Sequence, residues 1–462
     1  MRLVLILCLV TSVFCATSQE WKSRSIYQVL TDRFAKSTSG TARCLDLNDY
    51  CGGSYKALTK KLDYIKDMGF NAIWISPIPH NFPKGYHGYW ADDLTRMNEH
   101  FGTEKELLEL VKRAHLKDIW VMVDVVGNHM FHDFIDQIIP FNKSEHYHSC
   151  DVCPRSCQIE DWSNQQQVED CKLSNMPDLN QTHPYVRDTL KSWVKDVVDK
   201  YKFDGIRIDT VLEVPKWFWG EYVQSAGVFA MGEVANSDLS YVSGYQSPLG
   251  TMPSVLSYPL YYTMVNVFAY GHSMYELRDS FNAYVKSFGD VDVLGTFLDC
   301  HDQPRFLSFN RDHKLYENGL VTVMLSSGIP VVYYGTEQYF DGGHDPWNRE
   351  DMWRSDYNTK SDMYKYIKAL NWARDRGQVW KYMQVERYVD DHFYAFTRGQ
   401  VLVATTNVGS GGPKIERHIT YHPYREGDRL CNIFWPTDCI TVWQNELQVV
   451  LNSGEAKVYL LT

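Results

Sequence analysis

The most constraining feature of the chain is a set of short apolar runs that each end in an acid. Phe203-Asp204-Gly205-Ile206-Arg207-Ile208-Asp209-Thr210 alternates Ile with Arg and Asp, the two-residue period of a strand. A strand that carries Arg207 and Asp209 on one face must pair them, solvate them or use them. Gly227-Val228-Phe229-Ala230-Met231-Gly232-Glu233 repeats the design. Val293-Leu294-Gly295-Thr296-Phe297-Leu298-Asp299 runs on into Cys300-His301-Asp302. Asp209, Glu233 and Asp302 thus stand at or just beyond the carboxyl ends of three predicted strands. That is where a (β/α)8 barrel keeps its active site.

The other apolar runs complete such a barrel. Strands are expected at 25–32, 71–77, 119–126, 255–260 and 330–335, and helices at 55–68, 104–116, 184–202 and 362–376. Eight strands alternating with helical segments favour an α/β fold with a parallel TIM barrel. Two stretches stand outside it. From Asn128 to about Asn180 the chain is polar and rich in His, Cys and Gln. It is too long for a connecting loop and reads as a subdomain inserted after strand 3, at about 130–180. Near the end, short alternating runs (394–397, 401–406, 433–434, 449–451, 456–461) predict a C-terminal antiparallel β-sandwich over 379–462. The barrel with its insert is expected over 19–378.

Residues 1–18 read as a secretory signal peptide: Arg2, an apolar run over 3–9, then Cys15, Ala16 and Ser18, with cleavage between Cys15 and Gln19. The most apolar later stretch, 320–334, is broken by Ser326, Ser327, Gly328 and Pro330, so no membrane span is expected. Secretion, into the medium or a lysosome-like digestive compartment, makes the cysteines disulfide candidates. Cys8 and Cys15 leave with the leader, and the nine that remain are an odd number. Cys300, at a strand end, is expected to be the free one. Short loops suggest Cys44–Cys51, Cys157–Cys171 and Cys431–Cys439, with Cys150–Cys153 as the fourth pair. Asn142 and Asn180 begin sequons that permit glycosylation. A net charge of -11 argues against a nucleic-acid or anionic-membrane partner. The 31 Tyr and 14 Trp suit a cleft that needs flat faces with polar edges, as sugar binding does.

Two carboxylates flanking one bond are the device of glycoside hydrolysis, one as nucleophile and the other as acid, then base. Asp209 and Glu233 form such a pair, and Arg207 on the same strand face favours an ionised Asp209. Arg207 and Asp209 alone would equally make a buried ion pair; three acid-bearing strand ends together favour a site. Asp124-Val125-Val126-Gly127-Asn128-His129 closes the third strand in the same way. His129 can bond a sugar hydroxyl. The amide oxygen of Asn128, joined by Glu169 and Asp178 from the insert, suits calcium, which takes about 6–8 oxygens.

Residues 124–129, 205–210, Gly232-Glu233-Val234 and His301-Asp302 resemble, in order, the four signature regions of glycoside hydrolase family 13. Met176-Pro177-Asp178-Leu179-Asn180 resembles its fifth, and 27–34, 86–90 and 345–350 are similar to the fungal-type secreted α-amylases. The resemblance covers nearly all of the mature chain. It implies Asp209 as nucleophile, Glu233 as general acid/base, and Asp302 as the acid that helps distort and hold the sugar. It implies that Tyr89, His129, Arg207 and His301 line the same subsite and that Trp90, Asp345 and Arg349 serve neighbouring sugars. It implies a calcium ion on Asn128, Asp178, an oxygen of Glu169 and the backbone carbonyl of Glu213. The implied protein is a secreted, monomeric, endo-acting and retaining enzyme whose partner is an α-1,4-glucan such as starch or glycogen.

The chain departs from that pattern twice. Leu212 and Glu213 stand three and four residues after Asp209, where many α-amylases carry Lys-His. Calcium needs only the carbonyl there, but the sugar contact on the leaving-group side is altered. That keeps an exo-acting or transferring relative, an α-glucosidase or maltogenic type, as the alternative, ahead of an inactive glucan-binding protein. Cys300 stands where Asn usually precedes the His-Asp pair. In animal amylases that Asn helps hold chloride, so no chloride dependence is expected.

Overall fold

The computed structural model describes residues 17–246 and 251–462; all but the last residues of the predicted leader lie outside them. Eight parallel strands line the centre: β1 (Ile26–Gln28), β2 (Ala72–Ile75), β3 (Trp120–Val125), β4 (Gly205–Ile208), β5 (Phe229–Gly232), β6 (Ser254–Val255), β7 (Gly295–Thr296) and β8 (Ile329–Tyr333). They pair in the order β6-β5-β4-β3-β2-β1-β8-β7. A parallel bridge from Leu256 to Gly295 links the two ends, so the barrel is nearly closed. The strands are short and almost wholly buried, as parallel strands covered on both faces must be.

Helices including Glu104–His115, Pro184–Tyr201, Lys216–Ala226, Met274–Ser287, His313–Leu325 and Asp362–Gly377 form the outer layer. Glu104–His115 illustrates why they form. Thr103 and Glu106 close a capping box at its start, and Leu107, Leu110, Val111 and Ala114 bury one face. At the amino end of the barrel Trp21 stacks on Phe229, ring centroids 5.1 Å apart. A Cβ at position 205 would meet the Trp21 ring at 2.8 Å, which is why β4 begins with glycine.

Register sets the height of each polar side chain. Asp124 pairs with Arg207, and Arg207 with Met231. The Asp209 N–H donates to the Val125 carbonyl (3.0 Å) and the Glu233 N–H to the Ile208 carbonyl (2.8 Å). Asp124 and Arg207 therefore share one layer, and Asp209 and Glu233 stand just above it at the carboxyl end.

The stretch after β3 leaves and returns to the barrel mouth. His129 bridges Asp178, and Tyr147 bridges Leu179. Its disulfides are Cys150–Cys157 and Cys153–Cys171, not the expected Cys150–Cys153 and Cys157–Cys171. The cause is local. The Cys157 carbonyl accepts from Lys172 N, so these segments lie side by side. Cys157 adopts a φ of 57°, and its sulfur pairs with Cys150 instead. Cys44–Cys51 and Cys431–Cys439 are as expected, and Cys300 is free and buried.

Several element expectations change. The run at 25–32 is a strand only over Ile26–Gln28, and the helix Thr31–Phe34 follows. The run at 255–260 is a strand only to Val255; Pro259, in the first turn, suits the helix Tyr258–Met264 that follows. The helix over 55–68 is two, Tyr55–Thr59 and Leu62–Asp67. Residues 433–434 follow a strand, Arg429–Asn432, and are not one themselves.

The C-terminal part is antiparallel: β9 (Gln384–Val389), β10 (Phe393–Arg398), β11 (Val401–Thr406), β12 (Ile415–Ile419), β13 (Arg429–Asn432), β14 (Cys439–Thr441), β15 (Leu447–Leu451) and β16 (Lys457–Leu461). Six of them form one sheet, β9-β10-β11-β16-β13-β14, and β12 pairs with β15. Phe393, Leu402 and Tyr459 of the larger sheet share a core with Ile415, Leu447 and Val449 of the smaller.

Candidate active site

Arg207 is fully buried and organises the mouth of the barrel. Its Nη1 donates to Asp124 Oδ1 (2.9 Å) and Asp209 Oδ1 (2.7 Å), and its Nη2 lies 2.8 Å from Glu233 Oε2. One positive charge thus faces three carboxylates, two of them the strand-end pair singled out in the sequence. Burial pushes Asp124 up to about 6 against the pull of Arg207. Burial likewise raises Asp209, with Glu233, Asp124 and Asp302 acting in the same direction and Arg207 opposing. A cluster so short of positive charge retains a proton.

Thr210 sits between the two carboxylates in a left-handed conformation, φ 48° and ψ 47°. That conformation is costly for a β-branched residue and persists only where its surroundings enforce it. Here it aims two donors: the Thr210 N–H at Glu233 Oε2 (3.0 Å) and its hydroxyl at Asp209 Oδ2 (3.1 Å). Tyr258 donates to the other oxygen, Glu233 Oε1, at 3.1 Å.

His301 and Asp302 face this pair. Burial, with Arg207 and Arg349 adding to it, holds His301 well below its usual range, so the ring is neutral. The Gln28 amide nitrogen lies 2.8 Å from Nδ1. An amide N–H only donates, so Nδ1 accepts and Nε2 carries the hydrogen. Nε2 meets the Tyr89 hydroxyl at 2.7 Å and Asp302 Oδ2 at 3.2 Å, and Tyr89 donates onward to Asp124 Oδ2 at 2.7 Å. Arg349 ties the far side together: it reaches Asp302 Oδ1 (3.4 Å), Asp345 Oδ1 (3.0 Å) and the Tyr86 hydroxyl (3.1 Å).

Tyr89, Asp209, Thr210, Glu233, Asp302, Asp345 and Arg349 line an open cleft of about 420 Å³ with His87, Trp90, His129, Leu212 and Glu213. Trp90 stacks on Phe131, centroids 4.7 Å apart. A larger groove of about 690 Å³, between the segment Ala91–Met97 and the helix Pro184–Tyr201, holds none of the three acids. All ten predicted catalytic and sugar-contacting residues border the cleft or, for Arg207 and His301, hold groups that do. Sequence reasoning gave no role to Gln28, Tyr86 or Tyr258, or to Trp74, whose indole N–H donates to Asp124 Oδ2 at 3.1 Å. Gln28 left a trace as a lone amide in an apolar strand, and Tyr86 as the first residue of the stretch 86–90.

The four predicted calcium residues lie beside the cleft. The Asn128 amide oxygen faces Asp178 Oδ1 at 3.1 Å and the Glu213 carbonyl at 3.2 Å. Turning the amide would replace that repulsion with two hydrogen bonds, but His129 opposes the turn. Burial pushes His129 down to about 4, and its Nε2 faces the Tyr89 carbonyl at 3.1 Å, so Nε2 carries the hydrogen. Nδ1 is then an acceptor and requires the Asn128 NH2, which lies 3.3 Å away. Three oxygens therefore converge with no amide hydrogen between them, a donor set that fits a hard cation. Among the described residues no three His, Cys, Asp or Glu side chains converge as metal ligands, so amide and backbone oxygens are essential to such a site. Glu169 lies on the short helix Gln165–Asp170, held by Gln165, which also donates to the Leu212 carbonyl at 3.2 Å. Its own carbonyl, in the last helical turn, has no partner within the helix.

The comparisons agree with this geometry. The model of the alpha-amylase catalytic domain matches residues 28–393. An alpha-amylase of Saccharomycopsis fibuligera is 37% identical over 96% of this chain and 92% of its own length. Alpha-amylase 1 of Lipomyces kononenkoae is 39% identical over 83% of this chain and 62% of its own. The solved structure of an alpha-amylase from Malbranchea cinnamomea superposes with a TM-score of 0.91 at 37% identity, covering 96% of this chain and 98% of that one.

Proposed function

The chain belongs to the alpha-amylase family of glycoside hydrolases, and from that premise we propose that it cleaves internal α-1,4 bonds of starch- or glycogen-like glucans with retention of configuration. The observation that carries the reading is Arg207, whose two terminal nitrogens hold Asp209 and Glu233 at 2.7 and 2.8 Å. Holding both acids on one guanidinium supports the short separation, about 5–5.5 Å, of retaining enzymes over the roughly 6.5–9.5 Å of inverting ones.

Glu233 gives its proton to the glycosidic oxygen while Asp209 attacks the anomeric carbon. The leaving chain departs with that proton, and a glycosyl ester forms on Asp209. Glu233, now a carboxylate, takes a proton from water, whose oxygen displaces Asp209. Oε2 of Glu233 already accepts from Thr210 and faces Arg207, so the transferable proton belongs on Oε1. Asp302, with the N–H of His301 beside it, grips the hydroxyls of the sugar at the cleavage point, and Tyr89 and His129 border it. Asp345, Arg349 and Trp90 receive neighbouring sugars.

A calcium ion would sit on Asn128, Asp178, the Glu213 carbonyl and an oxygen of Glu169. Bound there, it supplies charge that pins the insert to the barrel mouth. Four disulfides support an oxidising, extracytoplasmic setting, consistent with the leader over residues 1–18. The test is a product time course on soluble starch, read by NMR. Mixed oligosaccharides in the α-form, appearing early, support the reading. Maltose or glucose alone from the start, or β-anomers, would overturn it.

A further inference from the structure

A further cavity, of about 380 Å³, is lined in part by the loop that carries Asp345 and Arg349. Its lining includes Trp347, Arg43, Asp46, Asn48, Asp341 and Arg354. Trp347 is 65% exposed, although it stands two residues from both Asp345 and Arg349, which line the catalytic cleft. A large indole held in water has given up burial without compensation in the folded chain. Flanked by charged and amide groups, it offers a flat apolar face with polar edges.

The opposite wall is held rigidly. It is the loop closed by Cys44–Cys51, and a buried arginine couples it to the cleft. Arg33 donates through Nη2 to the carbonyls of Leu47 and Asp49, both at 2.9 Å, and through Nη1 to the carbonyl of Arg349 at 2.8 Å. Asp32 anchors the loop's end by accepting from Cys51 N (2.7 Å) and Gly52 N (3.0 Å). Cys44 N donates to Asp351 Oδ1 at 3.1 Å. Both walls are thus fastened to the backbone that positions Arg349. Little ordering remains for a ligand to impose.

We propose that this cavity is an outer glucosyl subsite, in which Trp347 stacks on a sugar of the same glucan chain that is cut in the cleft. The proposal rests on the glucan-hydrolase reading above. Its ligand is a neutral polyhydroxyl ring: one face lies on the indole, and the rim hydroxyls meet the acids, the amide and the guanidinium groups.

The test is kcat/KM across a series from maltotriose to maltoheptaose, for the wild type, Trp347→Ala, Trp347→Tyr and Trp443→Ala. Trp443 is equally open, 71% exposed, but lies in the C-terminal sheet region. For Trp347→Ala the expected loss grows with chain length, reaching about 5- to 10-fold at maltoheptaose, the size of one aromatic contact. Trp347→Tyr restores most of it, and Trp443→Ala follows the wild type. A loss equal at every length, or none at any length, overturns the subsite. Failure of the wild type to cut any member would instead overturn the hydrolase reading, so the two failures are distinct.

Discussion

Tyr258 donates its phenolic hydrogen to Glu233 Oε1 across 3.1 Å, the oxygen that carries the transferable proton in the proposed mechanism. A donor aimed there stabilises the carboxylate that Glu233 becomes once it has given its proton away. When Glu233 is protonated, the phenol must turn and accept. Tyr258→Phe removes the donor and keeps the ring that packs on Phe297, centroids 5.1 Å apart. We expect kcat/KM to fall about 10-fold. A rate equal to that of the wild type would leave Tyr258 a packing role only.

Glu233→Gln keeps shape and neutral hydrogen bonding but cannot transfer a proton. Hydrolysis of starch should fall about 100- to 10,000-fold. Asp209→Asn should fall at least as far, and no covalent sugar should be trapped on it by an activated fluoroglucoside. Intact-mass spectrometry of the two variants after such treatment separates the roles. A glycosyl adduct on Asp209→Asn would show that another group is the nucleophile.

Removal of calcium should loosen the mouth of the barrel. Chelator should lower Tm, and calcium added back should restore it, as for any ligand bound only to the folded state. Asn128→Ala removes one of the three converging oxygens, so its Tm should respond far less to either. Differential scanning calorimetry at several calcium concentrations is the measurement. An identical response in wild type and variant would place the ion elsewhere.

His129 gives the chain an acid-sensitive element. Its folded value, about 4, lies below the usual 6.5, so between those values the unfolded chain binds a proton that the folded one does not. The stabilisation is whole above about 6.5 and is lost as pH falls toward 4, by up to about 3 kcal/mol. Asp124, raised to about 6, has the opposite sign: its contribution is whole below the unfolded carboxylate value and is lost as pH rises through 6. His129→Gln should therefore flatten the fall of urea-unfolding free energy from pH 6.5 to 4, and Asp124→Asn should steepen it. Parallel curves for all three proteins would refute the assignment.

The strand-end acids were legible because alternation and a terminal carboxylate are local properties, and β4 and β5 carry both. Tyr258 was hidden because an apolar run of six serves a strand or a helix equally well until a partner decides. The disulfides of the insert show the same limit. Spacing favours the nearest pair, but Cys157 is turned by its own backbone toward Cys150. The role of Gln28 depends on a contact 273 residues away in the chain, which no window on the sequence contains. Arg33 is similar: the expected strand ran to Asp32, whereas Thr31–Phe34 is a buried turn of helix whose Arg33 braces two loops.

Cys300 lies a short way beyond the end of β7 and adjoins His301 and Asp302, and it is the one cysteine among the described residues outside a disulfide. Burial pushes its thiol up, which suppresses the reactive thiolate. The enzyme thus carries its own stopwatch. Among the described residues a thiol reagent in excess finds a single free sulfur, and only while this end of the barrel is open. The labelling rate, followed against denaturant or a bound oligosaccharide, would time the opening of the catalytic floor without any label being engineered in.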